Sequence, residues 1–246
     1  MTYSRDKLTK YRVMRNASAL AASLPHTRSL SKLHLQSLLK QYGKVIVKPS
    51  GGYGGAGVMS VSVKGTGYEV HYGRSRKTFS SLPLLYSYIK SKTGGLRYIV
   101  QRKIPLAKVK GRPFDIRVMV QRTKKSGWSV TGKLAKIAGP GYIVTNVARS
   151  KGRVAPLADA ISSSNITGKS VKQLQSQIDR VSLRSAKQLQ KYYRIDTVGL
   201  DIGLDAKGKA WIIEPNFKPD KSLFRKLRDK SMYRAVMSFY NRRYYR

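Results

Sequence analysis

The stretch "KVIVKPSGGYGGAGV", residues 44–58, constrains the chain more than any other. A short apolar strand ends in Lys48-Pro49 and opens into a loop in which five of the seven residues from Gly51 to Gly57 are glycine. The whole chain carries only 21 glycines, so this density needs a physical reason. Glycine lets backbone N–H groups approach a ligand closely and adopts the left-handed region freely. The loop runs into "VMSVSVKG", in which Val58, Ser60 and Ser62 alternate with Met59, Val61 and Val63, the period-two signature of a strand. The unit is therefore strand, glycine loop, strand.

That order separates the kinds of phosphate loop. Gly52, Gly54 and Gly57 formally spell G-x-G-x-x-G, but a dinucleotide-binding loop must open a helix. A Walker loop ends in Gly-Lys-Ser/Thr, whereas this one ends in Gly57-Val58-Met59. A protein kinase places its lysine after the loop and carries H-R-D and D-F-G, neither of which occurs here. A β-loop-β flap with Lys48 before it remains, and a ligand-free glycine-rich hairpin is the plain alternative.

Charge makes a second stretch informative. Fifty Lys and Arg against eleven Asp and Glu give a net charge of +39. The basic residues run through the whole length, so a generally cationic surface is expected rather than a DNA-reading element. Against so few acids, Asp201, Asp205, Glu214 and Asp220 fall close together. "TVGLDIGLDAKGKAWIIEPN" (197–216) reads as a β-hairpin turning at Asp205–Gly208. Glu214 and Asn216, two apart on one strand, face the same side. Asp201 on the partner strand can stand beside them. Two carboxylates and an amide oxygen form a hard oxygen set suited to Mg²⁺. Glu214 ends the apolar run Trp211-Ile212-Ile213, and a carboxylate there needs partners.

Elsewhere, residues 29–43 predict a helix with Leu30, Leu33, Leu38 and Leu39 on one face and Gly43 as its C-cap. "YEVHYG" (68–73) predicts a hairpin partner for the strand from 58. A helix is expected over 80–92 and a strand over 98–104. Residues 113–123 and 128–138 predict a long antiparallel pair. The segment from Gly141 reads as a strand leading into irregular structure, 159–170 as a surface loop, and 170–193 as an amphipathic helix. A final helix is expected over 221–246, with Leu223, Leu227, Val236 and Tyr240 inward. The layout is α+β with antiparallel sheets. The absence of cysteine excludes a disulfide framework and thiolate chemistry. No apolar run reaches the length of a membrane span, and a cytoplasmic setting is the default expectation.

Taken together, Lys48-Pro49 with the glycine loop, Asp115-Ile116-Arg117, Asn146 and Asp201…Glu214-x-Asn216…Pro219 resemble the ATP-grasp superfamily. Within it the likeness is to the spore-coat-associated YheC/YheD-type proteins, carried by "YIVQRKIPLAKVKGRPFDIRVMVQ", "GLDIGLDAKGKAWIIEPNFKP" and "VIVKP". The D-I-R and E-x-N-x-x-P elements are also similar to the ribosomal-protein glutamate ligase branch. The resemblance spans roughly residues 25–240.

It implies an ATP-grasp fold, two α+β lobes enclosing a nucleotide cleft: a helical N-terminal segment (1–43, a reduced form of the usual preceding domain), a glycine-loop lobe (44–104) and a metal-site lobe with a basic C-terminal helix (105–246). It further implies that Lys48 and the backbone of Gly52, Gly54, Gly55 and Gly57 contact ATP phosphates. Gln101, Arg102, Lys103 and Ile104 would line the adenine, with Lys136 and Asn146 as further phosphate or substrate contacts. Asp201, Glu214 and Asn216 would hold Mg²⁺, and Arg117 would neutralise an acyl-phosphate, oriented by Asp115. The implied activity is a carboxylate–amine ligase, and the cationic surface points to an acidic peptide, protein or polymer as substrate. The alternative is a non-catalytic spore-coat or polyanion-binding scaffold. Nucleic acid, for which "YNRRYYR" offers tyrosines among arginines, is the less favoured partner. The chain departs from the related ligases in "VARSKGR" after Asn146, in Pro215, and in Asp220 after Pro219, changes that touch the acceptor side more than the ATP side.

Overall fold

The computed structural model describes residues 6–52, 54–123, 126–142, 145 and 147–241. Two helices, α1 (Lys7–Arg15) and α2 (Ser18–Ala21), precede strand β1 (Thr27–Ser29) and helix α3 (Lys32–Tyr42). Strands β2 (Lys44–Pro49), β3 (Met59–Lys64), β4 (Gly67–Tyr72) and β5 (Ser75–Phe79) come next, then α4 (Leu82–Ser91) and β6 (Tyr98–Arg102). The second half opens with β7 (Lys108–Val109), β8 (Arg112–Gln121) and β9 (Ser129–Ile137). It continues through α5 (Val147–Ser150), β10 (Arg153–Pro156), α6 (Leu157–Ser162) and α7 (Val171–Gln190). The hairpin β11 (Thr197–Leu204) and β12 (Ala210–Asn216) leads to α8 (Ser222–Arg225) and α9 (Ser231–Asn241).

Two antiparallel sheets result, ordered β1-β6-β2-β3-β4-β5 and β10-β9-β8-β11-β12. Outside the bulges of the second sheet, alternation sends successive side chains to opposite faces. In the first sheet Val45, Val47, Met59, Val61, Val70 and Val100 pack with Leu35, Leu38 and Leu39 of α3 and with Leu85 and Ile89 of α4. The other face, carrying Ile46, Lys48, His71 and Gln101, looks into a cleft. In the second sheet Phe114, Ile116, Val118, Val198, Leu200 and Ile202 join the core beneath α7. Its other face is divided. Met119 and Leu134 are covered by Phe224, Leu227 and Val236 of the C-terminal segment, while Asp115, Arg117, Lys136 and Asp201 remain on the cleft.

Helix ends are set by local chemistry. Asp6 accepts a hydrogen bond from the Thr9 N–H and caps α1, and Ser31 does the same for α3. Gly43, at φ 67, closes α3 in the left-handed conformation. Ser170 and Gln173 form a reciprocal capping box on α7.

Several expectations shift. The apolar stripe of α3 runs through Leu35, Leu38 and Leu39, and Leu33 is 71% exposed. The spacing 35, 38, 39 keeps helical phase, which Leu33 breaks. Strand β5, "SRKTF", has no counterpart among the expected elements: it is an exposed edge whose polar residues give no alternation signal. Residues 143, 144 and 146 of the strand expected from Gly141 lie outside the described residues; β10 follows at Arg153–Pro156, and α6 occupies the start of the expected 159–170 loop. The C-terminal helix is broken between α8 and α9, where Asp229 accepts from the Ser231 N–H and hydroxyl and restarts the helix. Of its terminal "YNRRYYR", residues 242–246 lie outside the described residues. The N-terminal segment is shared between lobes: Tyr11, Met14 and Leu20 join the second core, and α3 joins the first.

Candidate active cleft

Between the two sheets lies a cleft of about 1160 Å³. Its floor is a row of charges fixed by strand register. Arg117 on β8 stands opposite Asp201 on β11, and Asp201 opposite Glu214 on β12. A bulge comes next, because Asp201 pairs with Glu214 while Ile202 pairs with Ile212, leaving Ile213 as the extra residue. Ile213 and Glu214 both line the cleft as a consequence. One step along, Asp115 on β8 stands opposite Lys136 on β9.

The side chains complete this network. Arg117 Nε donates to Asp201 Oδ1 at 3.0 Å, and Nη2 reaches Oδ2 at 3.4 Å. Lys136 Nζ donates to the same Oδ1 at 2.9 Å and lies 3.1 Å from Asp115 Oδ1. The Thr145 hydroxyl donates to Asp115 Oδ2. Asp115 therefore grips Lys136 and the Thr145 hydroxyl, and Arg117 is oriented by Asp201, which corrects the expectation that Asp115 orients it. All four charged groups are nearly buried, which is costly unless they are paired.

The pairing sets the protonation states. Burial works to raise the Asp201 carboxyl, but Arg117 and Lys136 together outweigh it and hold the group well below its usual range. Burial opposes charge on Lys136 as well, and Asp115 and Asp201 prevail, so its ammonium is held more firmly than normal. Asp115, buried and close to Asp201, is raised. Among the described residues Arg117 Nη1 is buried with no hydrogen-bond partner, a donor on the cleft floor left unsatisfied.

Above this floor sits the glycine loop. Gly52, Gly54, Gly55 and Gly57 all take positive φ, between 69 and 80, which glycine adopts without a Cβ penalty. Gly52, Gly54 and Gly55 line the cleft; Gly57 does not, and a Cβ there would collide with the Tyr98 hydroxyl and Pro49. Its role is to close the loop against the sheet. Lys48 lines the cleft, and burial lowers its pKa, with Glu214 partly offsetting the effect.

The remaining expected residues separate by contact. Gln101 lines the cleft but commits its amide to Thr27 Oγ1 at 2.8 Å. Arg102 stacks its guanidinium 4.9 Å from the ring centres of both Tyr42 and Trp211. Lys103 donates to Ser60 Oγ at 2.8 Å, and Ile104 is an apolar wall. Asn216 Oδ1 accepts from the Lys218 N–H at 3.0 Å. Asn146 lies outside the described residues. Among the described residues no three His, Cys, Asp or Glu side chains converge on one point. The oxygen set is the adjacent pair Asp201 and Glu214 with Asn216.

Sequence reasoning passed over Lys7. Its backbone N–H donates to Ser50 O at 2.8 Å, and its Nζ reaches Gly51 O at 3.1 Å and Gly52 O at 2.9 Å. The same Nζ lies 3.5 Å from Glu214 Oε1. One N-terminal lysine thus ties the glycine loop to the acidic strand of the other sheet. Its sequence signal was only the cap Asp6 just before it. The apolar walls Ile46, Val58, Leu106 and Ile213 were passed over too, since each looks like ordinary core.

Residues 2–241 match the model of the YheC/D-like ATP-grasp family. The chain belongs to this family. It is 26% identical over 229 residues to the endospore coat-associated protein YheD of Bacillus subtilis (strain 168), a match covering 89% of this chain and 49% of YheD. It is 26% identical over 227 residues to YheC of the same organism, covering 89% of this chain and 61% of YheC. The chain thus spans about half to three-fifths of these relatives. Among solved structures, a biotin carboxylase–β-γ-ATP complex from Campylobacter jejuni superposes with a TM-score of 0.59 at 16% identity, over 94% of this chain and 45% of the other. The ATP-grasp fold, with two antiparallel sheets and flanking helices, is common to both. Among the described residues of this ATP-grasp chain, no helix is long and apolar enough to cross a membrane.

Proposed function

We propose that this YheC/D-like ATP-grasp protein is an ATP-dependent carboxylate–amine ligase that works through an acyl-phosphate on an acidic peptide, protein or polymer. The observation that carries the reading is Arg117: buried, locked by Asp201, with one donor that no group among the described residues satisfies. A preorganised cation of this kind stabilises charge that develops during acyl transfer, and such donors act most strongly where water is excluded.

Bound ATP would supply the phosphoryl group: a carboxylate oxygen would bond to the γ-phosphorus as the bond from that phosphorus to the β,γ-bridging oxygen breaks, leaving ADP and a mixed anhydride. Lys48 and the N–H groups of Gly52, Gly54 and Gly55 would neutralise and cover the phosphates. Ile46, Val58, Ile104 and Ile213 offer apolar surface for the base. The donor set fits Mg²⁺: that ion takes one or two carboxylates and completes its shell with water and phosphate oxygens. Glu214 and Asn216 would hold it, with Asp201 shared between the metal and its two cations. Arg117 would grip the reacting carboxylate and then the oxyanion formed when the amine attacks and phosphate leaves. The amine nitrogen bonds to the acyl carbon, the acyl C–O bond to phosphate breaks, and the amine loses a proton to solvent.

The test is calorimetric titration of ATP with Mg²⁺ into wild type and a Glu214→Ala, Asn216→Ala double variant, with ADP release followed as acidic peptides are added. Mg²⁺-dependent binding lost in the variant, with peptide-stimulated ADP, is the expected result. A second reading, a coat-associated polyanion-binding scaffold, is supported by the endospore coat names of the relatives and the +39 charge. ATP binding without turnover on any acidic donor would favour it.

A further inference from the structure

Toward its first-sheet end the cleft also holds cations, on the first sheet, on the strand that leaves it and on β7, that the steps above do not use. On β3, β4 and β5, Ser60, His71 and Arg76 stand side by side in register. Lys44 opens β2, and the Lys103 N–H donates to its carbonyl at 3.1 Å. Lys44, His71, Arg76, Lys103 and Lys108 all line the cleft. Lys103 is half-buried, and its ammonium contacts Ser60 Oγ. Burial, Lys44, Arg76 and Lys108 all work against its charge, with Glu69 as the one opposing acid. Glu69 is already held by Arg76 at 2.9 Å and Lys64 at 3.3 Å. Among the described residues no carboxylate lies within ion-pair distance of Lys44, Lys103 or Lys108.

A surplus of positive charge inside a concavity concentrates anions there. The cleft also has room for a second ligand, since single-ligand pockets occupy roughly 300–1,000 Å³ and this one measures about 1160 Å³. We propose that Lys44, Arg76, Lys103 and Lys108 form a second anion subsite that holds side-chain carboxylates of an acidic peptide whose reacting carboxyl lies at Arg117. The peptide's role as a reactant rests on the ligase reading; its binding rests on the charge pattern alone. A peptide is favoured over single-stranded nucleic acid because stacking needs open aromatic faces, and His71, in register between Ser60 and Arg76, is only 6% exposed.

The test uses the full chain and a fluorescein-labelled hexaglutamate, read by anisotropy near physiological ionic strength, about 0.15 M, where bulk attraction is screened. A cleft variant, Lys44→Gln, Arg76→Gln and Lys108→Gln, is compared with an outer variant of equal charge change, Arg184→Gln, Lys187→Gln and Lys191→Gln, on the exposed side of α7. The cleft variant is expected to weaken peptide binding about tenfold, the outer variant less than about twofold, with ATP affinity held within about twofold in both. Equal weakening in the two variants would reduce the effect to net charge and overturn the subsite. Parallel loss of ATP affinity in the cleft variant would assign the cations to the nucleotide and also overturn it. So would a single-stranded oligonucleotide of equal charge that binds more tightly than the peptide and is lost in the cleft variant. If no acidic donor stimulates ADP release while the cleft-specific loss of peptide binding persists, the ligase reading fails and the subsite stands. Peptide-stimulated ADP release that is unchanged in the cleft variant leaves the ligase and removes the subsite.

Discussion

At the second-lobe end of the cleft Arg117 and Lys136 divide the carboxylates of Asp115 and Asp201 between them, buried and within 3.1 Å of their nearest acids. At the other end Lys44 and Lys103 of the first lobe and Lys108 on β7 have, among the described residues, no acid within ion-pair distance. The same kinds of side chain therefore serve opposite purposes. Paired charges are fixed in place and present chosen donors, such as Arg117 Nη1, at a defined point. Unpaired charges are less constrained and leave their neutralisation to a ligand. A chain of +39 can carry the second kind anywhere, but the first kind needs acids, and three of its eleven, Asp115, Asp201 and Glu214, line this cleft.

The largest expected effect breaks the paired end. Asp201→Asn leaves two buried cations with Asp115 alone, and removing one partner of a buried network costs about 3–5 kcal/mol. Lys44→Gln, at the unpaired and exposed end, should stay within about 0.5 kcal/mol of wild type. Denaturant unfolding of the two variants measures the contrast directly; equal losses would mean that pairing at the floor carries no structural weight. Next in size is Arg117→Gln, for which ADP release should fall about 10²–10³-fold, the cost of removing one preorganised donor. Turnover that survives this change would move the proposed chemistry off the floor.

Much of the paired end was legible in the sequence because register is arithmetic. Asp115 and Arg117 are two apart on one strand, as are Glu214 and Asn216, so each pair had to share a face. The glycine loop was legible because a strand succeeds it. The features that stayed hidden depend on distance in three dimensions. That Asp201, rather than Asp115, holds Arg117 results from the pairing of β11 with β8, across 84 residues of chain. Lys7 joins the site from 44 residues before the loop it touches. The unpaired cations were invisible for another reason: among fifty basic residues, nothing in the sequence marks those that line a cleft.

Lys7 lies between the two extremes, since its ammonium is shared by two loop carbonyls and the more distant Glu214. Lys7→Met should loosen the glycine loop and weaken ATP binding about tenfold, or about 1.4 kcal/mol. The accompanying readout is faster amide exchange around Gly52–Gly55. Unchanged exchange with weaker binding would make Lys7 a direct phosphate contact rather than a strap on the loop.

The smallest effect isolates pairing from burial. Lys10 and Lys136 are both buried lysines, at 4% and 6% exposure. Lys136, with two carboxylates, is held above its ordinary pKa, whereas Lys10, bonded to the Pro215 carbonyl at 2.7 Å, is lowered by burial to about 8. Glu214 and Asp6 act to keep Lys10 charged, while Lys7 and Lys48 act against it. Because the folded-state pKa is depressed, the unfolded chain binds more protons between about pH 8 and 10.5, so this group makes stability rise with pH across that window. Between about pH 8 and pH 9 the gain is about 1 kcal/mol. Lys10→Met should remove that slope, read as the difference between the unfolding free energies of wild type and variant at the two pH values. A slope that survives in the variant would assign it to Lys48 or Lys103, the cleft lysines that burial depresses, and would place the cation on the cleft wall itself rather than behind β12.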